Sequence, residues 1–326
     1  MKKLSILATG LLMAATASAQ GQFPTEYSAC MENYSFDYGI RGVWDEIVQG
    51  KPGQGLGLVA PGVKQLKTHL GVQDFELPDV VYEFYPNGLL KTQWEEGGHN
   101  PGSNKIWTYN YDKQWRLQNV VGKDGQVVYK YHYDDSGRLV KMVDMFGGND
   151  EAIYSYDEQG LLKQIVMSGN ETFDFNKDGM MVKKTYLQNP DIDPLVEKYD
   201  QQGRWKGYTQ IVLDGMDEEF YTKLEMTVNY QNGPLPTSMT FRTGECNPNT
   251  KAYVGTPSTS VNRCTYQYDD HKNWITWKAT GGYPTWTFTR TINYYTDEEV
   301  KQALVDMEAA RKPAKENMEQ EGLWEF

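Results

Sequence analysis

The sequence runs to 326 residues, 39% hydrophobic and 13% aromatic, with 44 acidic against 32 basic residues and a net charge of -12. That length holds one large or two ordinary domains around a real core, and the acidic excess repels phosphate backbones, which argues against a nucleic-acid partner. An odd number of cysteines, three, allows at most one internal bridge.

The first residues, MKKLSILATGLLMAATASAQ, set Lys2 and Lys3 before an apolar run that ends in Ala17-Ser18-Ala19, the small-x-small pattern that signal peptidase accepts. Residues 1–19 therefore read as a signal peptide cleaved after Ala19. The mature protein is expected in the periplasm, at the cell surface or outside the cell, with a net charge of about -14 once both lysines leave. The run from Leu4 to Ala15 is too short for a stable anchor, and no Cys follows the cleavage site to carry a lipid. No later segment offers about 18 apolar residues in a row, so no membrane span is expected.

Residues 20–78 form an N-terminal flank, with a short helix around Gly42 to Val48, the Gly- and Pro-rich connector GKPGQGLGLVAPG, and a first strand from Val63 to Leu70. From Tyr85 a corner motif then recurs. YPNGLLK, YDKQWRL, YDDSGRLVK, YDEQGLLK, FNKDGMMVK, YDQQGRWK, YQNGPL and YDDHKNW begin at Tyr85, Tyr111, Tyr133, Tyr156, Phe175, Tyr199, Tyr230 and Tyr268. Their spacing is about 19 to 26 residues up to Tyr199 and then about 31 and 38, a self-similarity that marks a repeat architecture with later insertions.

Before each corner the residues alternate, so Trp107, Tyr109 and Tyr111 share one strand face, as do Tyr129, Tyr131 and Tyr133. In the corner itself Asp134 can cap backbone N–H groups and Gly137 can take the left-handed conformation that closes a short hairpin. Each copy is a strand, a tight turn and a returning strand. The expected fold is mainly β, an antiparallel meander of repeated hairpins over residues 79–295, as a rolled or open repeat sheet with short helical flanks.

After the repeats, residues 296–326 form a helical tail. Thr296-Asp297-Glu298-Glu299 is a capping box that opens a helix with Val300, Leu304 and Met307 on one face. Pro313 interrupts it, and a second helical stretch from Ala314 towards Leu323 leaves Trp324 and Phe326 as apolar tail residues that dock on the sheet or receive a partner.

Tyr-Asp-x-x-Gly-Arg-Leu is the core of the YD repeat, or Rhs repeat, and Tyr133-Asp134-Asp135-Ser136-Gly137-Arg138-Leu139 matches every defined position. Tyr156 to Leu162 and Tyr199 to Trp205 match less fully. The segment from Tyr268 to Trp274, followed by Thr287 to Tyr295, resembles the closing repeat of small exported YD-repeat proteins of the Bacteroidetes. In large family members such repeats wind into a β-shell around a toxin domain or mediate surface attachment, and carbohydrate binding has been attributed to some. With few copies and no identifiable toxin domain after them, the cargo role does not carry over, and the family supplies no catalytic residues.

Several constellations resemble chemistry without completing it. Asp174-Phe175-Asn176-Lys177-Asp178-Gly179 fits the opening of a calcium loop, but Thr185 stands where a bidentate Glu is needed and the stretch coincides with a repeat corner. Gly55 to Ala60 matches a dinucleotide fingerprint in letters alone, with a Pro-Gly following instead of a helix. His69, His99, His132 and His271 show no metal-ligand spacing, and neither a metal nor a cofactor is expected. The pairs Glu95-Glu96, Asp134-Asp135, Glu218-Glu219 and Asp269-Asp270 offer carboxylates, but neighbours on a strand point to opposite faces.

Cys246 and Cys264 flank a Gly-, Pro- and Thr-rich loop whose strands can pair; they are the candidate disulfide, with Cys30 left over, and the alternative is three reduced thiols. The aromatic rows read either as the interior of the sheet or as a stacking platform, for which Trp274, Trp277 and Trp286 in the irregular last repeat are the candidate ligand-binding residues. The leading expectation is an exported, non-enzymatic binding or structural module of the cell envelope, with an envelope protein or a glycan as partner. A carbohydrate-binding module requires exposed coplanar aromatics, and a hydrolase requires a cleft with convergent polar groups outside the repeat pattern.

Overall fold

The computed structural model describes residues 62–311, apart from the short stretches 73–74, 77–78, 97–105, 146–149, 169–170, 178–180, 189–192, 202–204, 215–219, 232–235, 272–273 and 283–284. The expected leader, the helix around Gly42, most of the connector, and the tail with Trp324 and Phe326 all lie outside these residues. So do Cys30, His99 and Glu218-Glu219.

The chain is a run of strands: β1 (Val63–Val72), β2 (Phe75–Glu76), β3 (Asp79–Phe84), β4 (Leu90–Glu96), β5 (Ile106–Tyr111), β6 (Leu117–Val121), β7 (Val127–Tyr133), β8 (Leu139–Asp144), β9 (Asp150–Tyr156) and β10 (Leu162–Met167). It continues with β11 (Glu171–Phe175), β12 (Met181–Tyr186), β13 (Leu195–Tyr199), β14 (Trp205–Asp214), β15 (Phe220–Asn229), β16 (Ser238–Cys246), β17 (Ser258–Tyr268), β18 (Trp274–Thr280), β19 (Trp286–Tyr294) and the helix α1 (Asp297–Arg311). Strands from β3 to β19 pair antiparallel in sequence order.

The sheet is closed, where the sequence left rolled and open forms both standing. β1 pairs β19 along its whole length, from Val63 opposite Tyr294 to Val72 opposite Trp286. On its other side Gln65 to Thr68 pair with Glu83 to Val80 of β3. The strand expected in the N-terminal flank is thus the one that completes a barrel, with only the two-residue β2 outside the ring. Among the described residues the ring itself has no free edge, which removes the usual aggregation liability of a long meander.

Every repeat corner joins an odd-numbered strand to the next even one, so in an alternating ring all eight lie on one rim. Their geometry follows from the Asp. Asp134 Oδ1 accepts the backbone N–H groups of Ser136 and Arg138 at 3.0 and 2.9 Å, while Arg138 Nε donates to Asp134 Oδ2 at 2.8 Å. Asp112 repeats these bonds with Gln114 and Arg116. Gly137 has φ +79°, and Trp115, at the equivalent place, is forced to +58°. The preceding corner carries Leu89 where the next two carry Arg116 and Arg138, and the Trp115 ring packs there against Tyr85 at 5.5 Å.

The corners are also tied to each other. Tyr111, Tyr133 and Tyr156 donate their hydroxyls to the carbonyls of Leu90, Leu117 and Leu139, each in the preceding corner, at 2.7, 2.8 and 2.6 Å. Arg116 lies 4.8 Å over the Tyr133 ring and Arg138 5.0 Å over Tyr156. Tyr295 closes the circle by bonding the Phe84 carbonyl at 2.8 Å. Each buried hydroxyl contributes about 1 kcal/mol and each cation–π contact about 0.5–1 kcal/mol, so the rim is stabilised by repetition of small terms. Gly137→Val is expected to cost on the order of 1–3 kcal/mol, because a β-branched residue resists φ near +79° even though an added Cβ would make only ordinary contact with Arg116. A melting temperature equal to wild type would refute this turn assignment.

One strand face fills the interior. Tyr109, Val120, Tyr129, Tyr131, Met142, Tyr154, Ile165 and Phe173 pack in one core, and Met226, Val228, Met239, Trp274, Trp277 and Phe288 in a second. The other face carries charge, as with Lys130, His132, Lys141 and Glu151 on β7 to β9. At the corner rim α1 starts as the capping box dictates: Glu299 N–H donates to Thr296 Oγ1 at 3.3 Å and Thr296 N–H to Glu299 Oε2 at 2.8 Å. It is the helix of the described residues.

The candidate disulfide is absent, since Cys246 and Cys264 are both free thiols. Their strands do pair, but Cys264 N–H bonds the Thr237 carbonyl, nine residues from Cys246. That separation is about 30 Å along the sheet, far beyond disulfide reach.

Candidate functional site

The candidate stacking platform is core instead. Trp274 is 3% exposed and Trp277 0%; the Trp277 ring packs on Phe288 at 5.0 Å, and the Arg290 guanidinium sits 3.4 Å from the Trp274 ring centre. Both face inward although they are three residues apart, because the register shifts between Trp274 and Thr276, as it does after Leu139 in the Tyr133 corner, so neither offers a ring to a ligand. Trp286 opens β19, and its side chain lies outside the described residues.

A hydrogen-bonded chain of polar groups crosses the outer wall where β1 meets β3 and β4. His69 Nδ1 and Asp79 Oδ1 are 2.8 Å apart, Lys67 Nζ donates to Asp79 at 2.7 Å and to Glu96 at 2.8 Å, and Trp94 Nε1 donates to Glu96 Oε1 at 3.0 Å. Burial works to raise the Asp79 pKa, but the bonds from Lys67 and His69 outweigh it and hold the carboxyl below its usual range. The Lys67 bond, then Trp94, lowers Glu96 in the same way. Carboxyls with lowered folded-state pKa stabilise the fold above their unfolded values near 4, and that contribution is lost as pH falls through the folded values. Thermal melts between pH 6 and 3 should therefore show a drop that Lys67→Met flattens. An unchanged pH profile in that variant would remove the clasp.

The remaining candidates do not converge. Asp134 is spent on its turn, and Asp269 accepts the Tyr294 hydroxyl while His271 stacks on that ring at 3.9 Å. Asp174, first residue of the calcium-like stretch, sits in β11 and accepts from Gln164 at 2.8 Å. Among the described residues no group of His, Cys, Asp and Glu is placed to hold a metal ion. Burial pushes the Cys264 thiol up to about 11, which makes it a poor nucleophile.

A cluster that single-residue motif reading missed lies inside the barrel, near the rim opposite the corners. Register places Tyr109 opposite Val120, Tyr131 opposite Met142, Tyr154 opposite Ile165 and Phe173 opposite Lys184. Lys184 thus occupies a slot that three other repeats fill with a buried apolar side chain. Its Nζ is 2.9 Å from Glu171, 5.3 Å from the Phe173 ring centre and 4.8 Å from that of Tyr186. Gln210, from β14, donates to the Tyr186 hydroxyl at 3.4 Å. Aligning the corners would have exposed the exchange, since Glu171 likewise stands where Trp107, Tyr129 and Ala152 stand.

Residues 79–225 match the family model described as Teneurin YD-shell. Among solved structures, the chain is similar to a porin-like protein from Bacteroides uniformis at 14% identity, covering 71% of this chain and 98% of that one with a TM-score of 0.37. It is also similar to the Tc holotoxin pore of Photorhabdus luminescens at 13% identity and a TM-score of 0.30, covering 63% of this chain and 11% of that one. A TcdB2–TccC3 structure matches at 12% identity and a TM-score of 0.25, covering 69% of this chain and 16% of that one. These scores are too low to equate the overall shapes. No curated protein sequence matches.

Proposed function

Because this chain belongs to the YD-repeat family and its repeats form a shell-like wall, we propose that it is an exported, non-enzymatic barrel that serves the cell envelope as a binding or structural module. The observation that carries this reading is the polarity of the wall. A membrane barrel is apolar outside and polar within; here Tyr109, Tyr131 and Tyr154 face inward while Lys130, His132 and Glu151 face outward. Such a wall stands in water. The leader expected from the sequence of residues 1–19 supports export, and the interlocked corner rim supports a role that needs a closed, well-tied body.

The test has two arms. Fractionation of cells expressing the full chain should place a mature form, shortened by the leader, in the soluble envelope or outside fraction; recovery only as an integral membrane species would contradict the wall argument. The purified mature protein should turn over no common glycoside, ester or peptide substrate, and saturable turnover abolished by one Asp, Glu or His substitution would overturn the non-enzymatic reading. A glycan partner is the second reading, supported by the polar cluster inside the barrel and no longer by exposed tryptophans.

A further inference from the structure

The repeat pattern is broken inside the barrel across β11 and β12, and packing does not explain the break. In the neighbouring repeat the two positions are Ala152, 0% exposed, and Ile165, 0% exposed. Here they are Glu171 and Lys184, whose side chains are 29% and 14% exposed. Exchanging an apolar pair for a half-buried ion pair is neutral or costly for stability, because desolvation offsets the attraction. The pair nevertheless stays within reach of water, near the rim where β11 begins and β12 ends.

Two further polar groups converge on it, the Tyr186 hydroxyl from β12 and the Gln210 amide from β14, with the Phe173 ring beneath. A few convergent polar groups on a concave, largely apolar wall are what a small-molecule site requires, and barrel mouths are a common place for one. From this we infer that Glu171, Lys184, Tyr186 and Gln210 form a binding site in the barrel mouth for a neutral, polyhydroxylated small molecule such as a mono- or disaccharide. The ligand class follows from the donor set. Lys184 and Glu171 cancel each other's charge, so an anion gains little from the lysine that it does not lose to the carboxylate. Ammonium and amide N–H groups donate, and carboxylate and amide oxygens accept, which matches vicinal hydroxyls that need both at once.

This site rests on the binding-module reading and gives it a location. The measurement is titration calorimetry of the mature protein with galactose, mannose and maltose, and with glucose 6-phosphate as the charged control. Wild type should bind at least one neutral sugar saturably, and more tightly than the phosphate ester. The double variant Glu171→Ala with Lys184→Ile rebuilds the Ala152 and Ile165 pair; it should keep or raise the melting temperature and weaken binding at least tenfold. Gln210→Ala, which leaves no charge unpaired, should weaken binding several-fold and serves if the double variant does not fold.

Absence of saturable binding to any neutral sugar, preference for the phosphate ester, or undiminished binding in these variants would each overturn the inference. If wild type ignores the sugars yet still captures an envelope protein, this site is wrong while the module reading stands.

Discussion

Deleting residues 63–72 is expected to abolish cooperative unfolding and to make the protein aggregate. β1 is held by β19 along its length and by β3 over Gln65 to Thr68, so without it two long strands present unpaired N–H and C=O groups to other copies. The apolar loss is also large. Val63 is 2% exposed and Leu66 0%, and each such side chain contributes about 1.5–3 kcal/mol when buried. Set against a net stability of about 5–15 kcal/mol for a domain, the two account for a large share before any backbone bond is counted. Calorimetry and light scattering read the outcome together. A variant that scatters no more light than wild type and melts with its transition would mean that β1 does not close the ring.

Gly207→Ala is expected to destabilise by on the order of 3 kcal/mol or more, far beyond an ordinary glycine change. Gly207 has φ +110° in β14, and an added Cβ would lie 2.0 Å from the Met226 carbonyl oxygen and 2.6 Å from its carbon. Backbone cannot move aside as a flexible side chain can, and Met226, 1% exposed, anchors the second core. Gly125→Ala is the control. Gly125 also has positive φ, at +79°, but nothing lies within 4 Å of an added Cβ, so it should lose only about 1 kcal/mol of conformational preference. Equal melting temperatures for the two variants would show that the close approach at Met226 has no energetic consequence.

The contrast between these glycines marks the boundary of what is legible in the chain alone. Local rules settled the corners: Asp134, Gly137 and the alternation of Tyr129, Tyr131 and Tyr133 act through neighbours a few residues away, and the turns, strands and capped helix follow from them. Repetition at a fixed spacing then required a meander whose faces differ. Gly122 to Gln126 makes a turn of the same form at the opposite rim, unsignalled because it lacks the Tyr that ties corners together.

Whatever depended on partners distant in sequence was decided only by the tertiary structure. Closure rests on β1 meeting β19 across more than two hundred residues, and alternation is the same in an open sheet and a closed one. Trp274 and Trp277 looked available because their repeat is irregular, yet the register shift between them and the closed ring together turn both rings into the core. Cys246 and Cys264 flank one loop, but register carried them to opposite ends of the paired strands. Lys184 and Glu171 are unremarkable as letters in separate strands; only pairing places the lysine opposite Phe173, in a slot that its fellow repeats reserve for Val120, Met142 and Ile165.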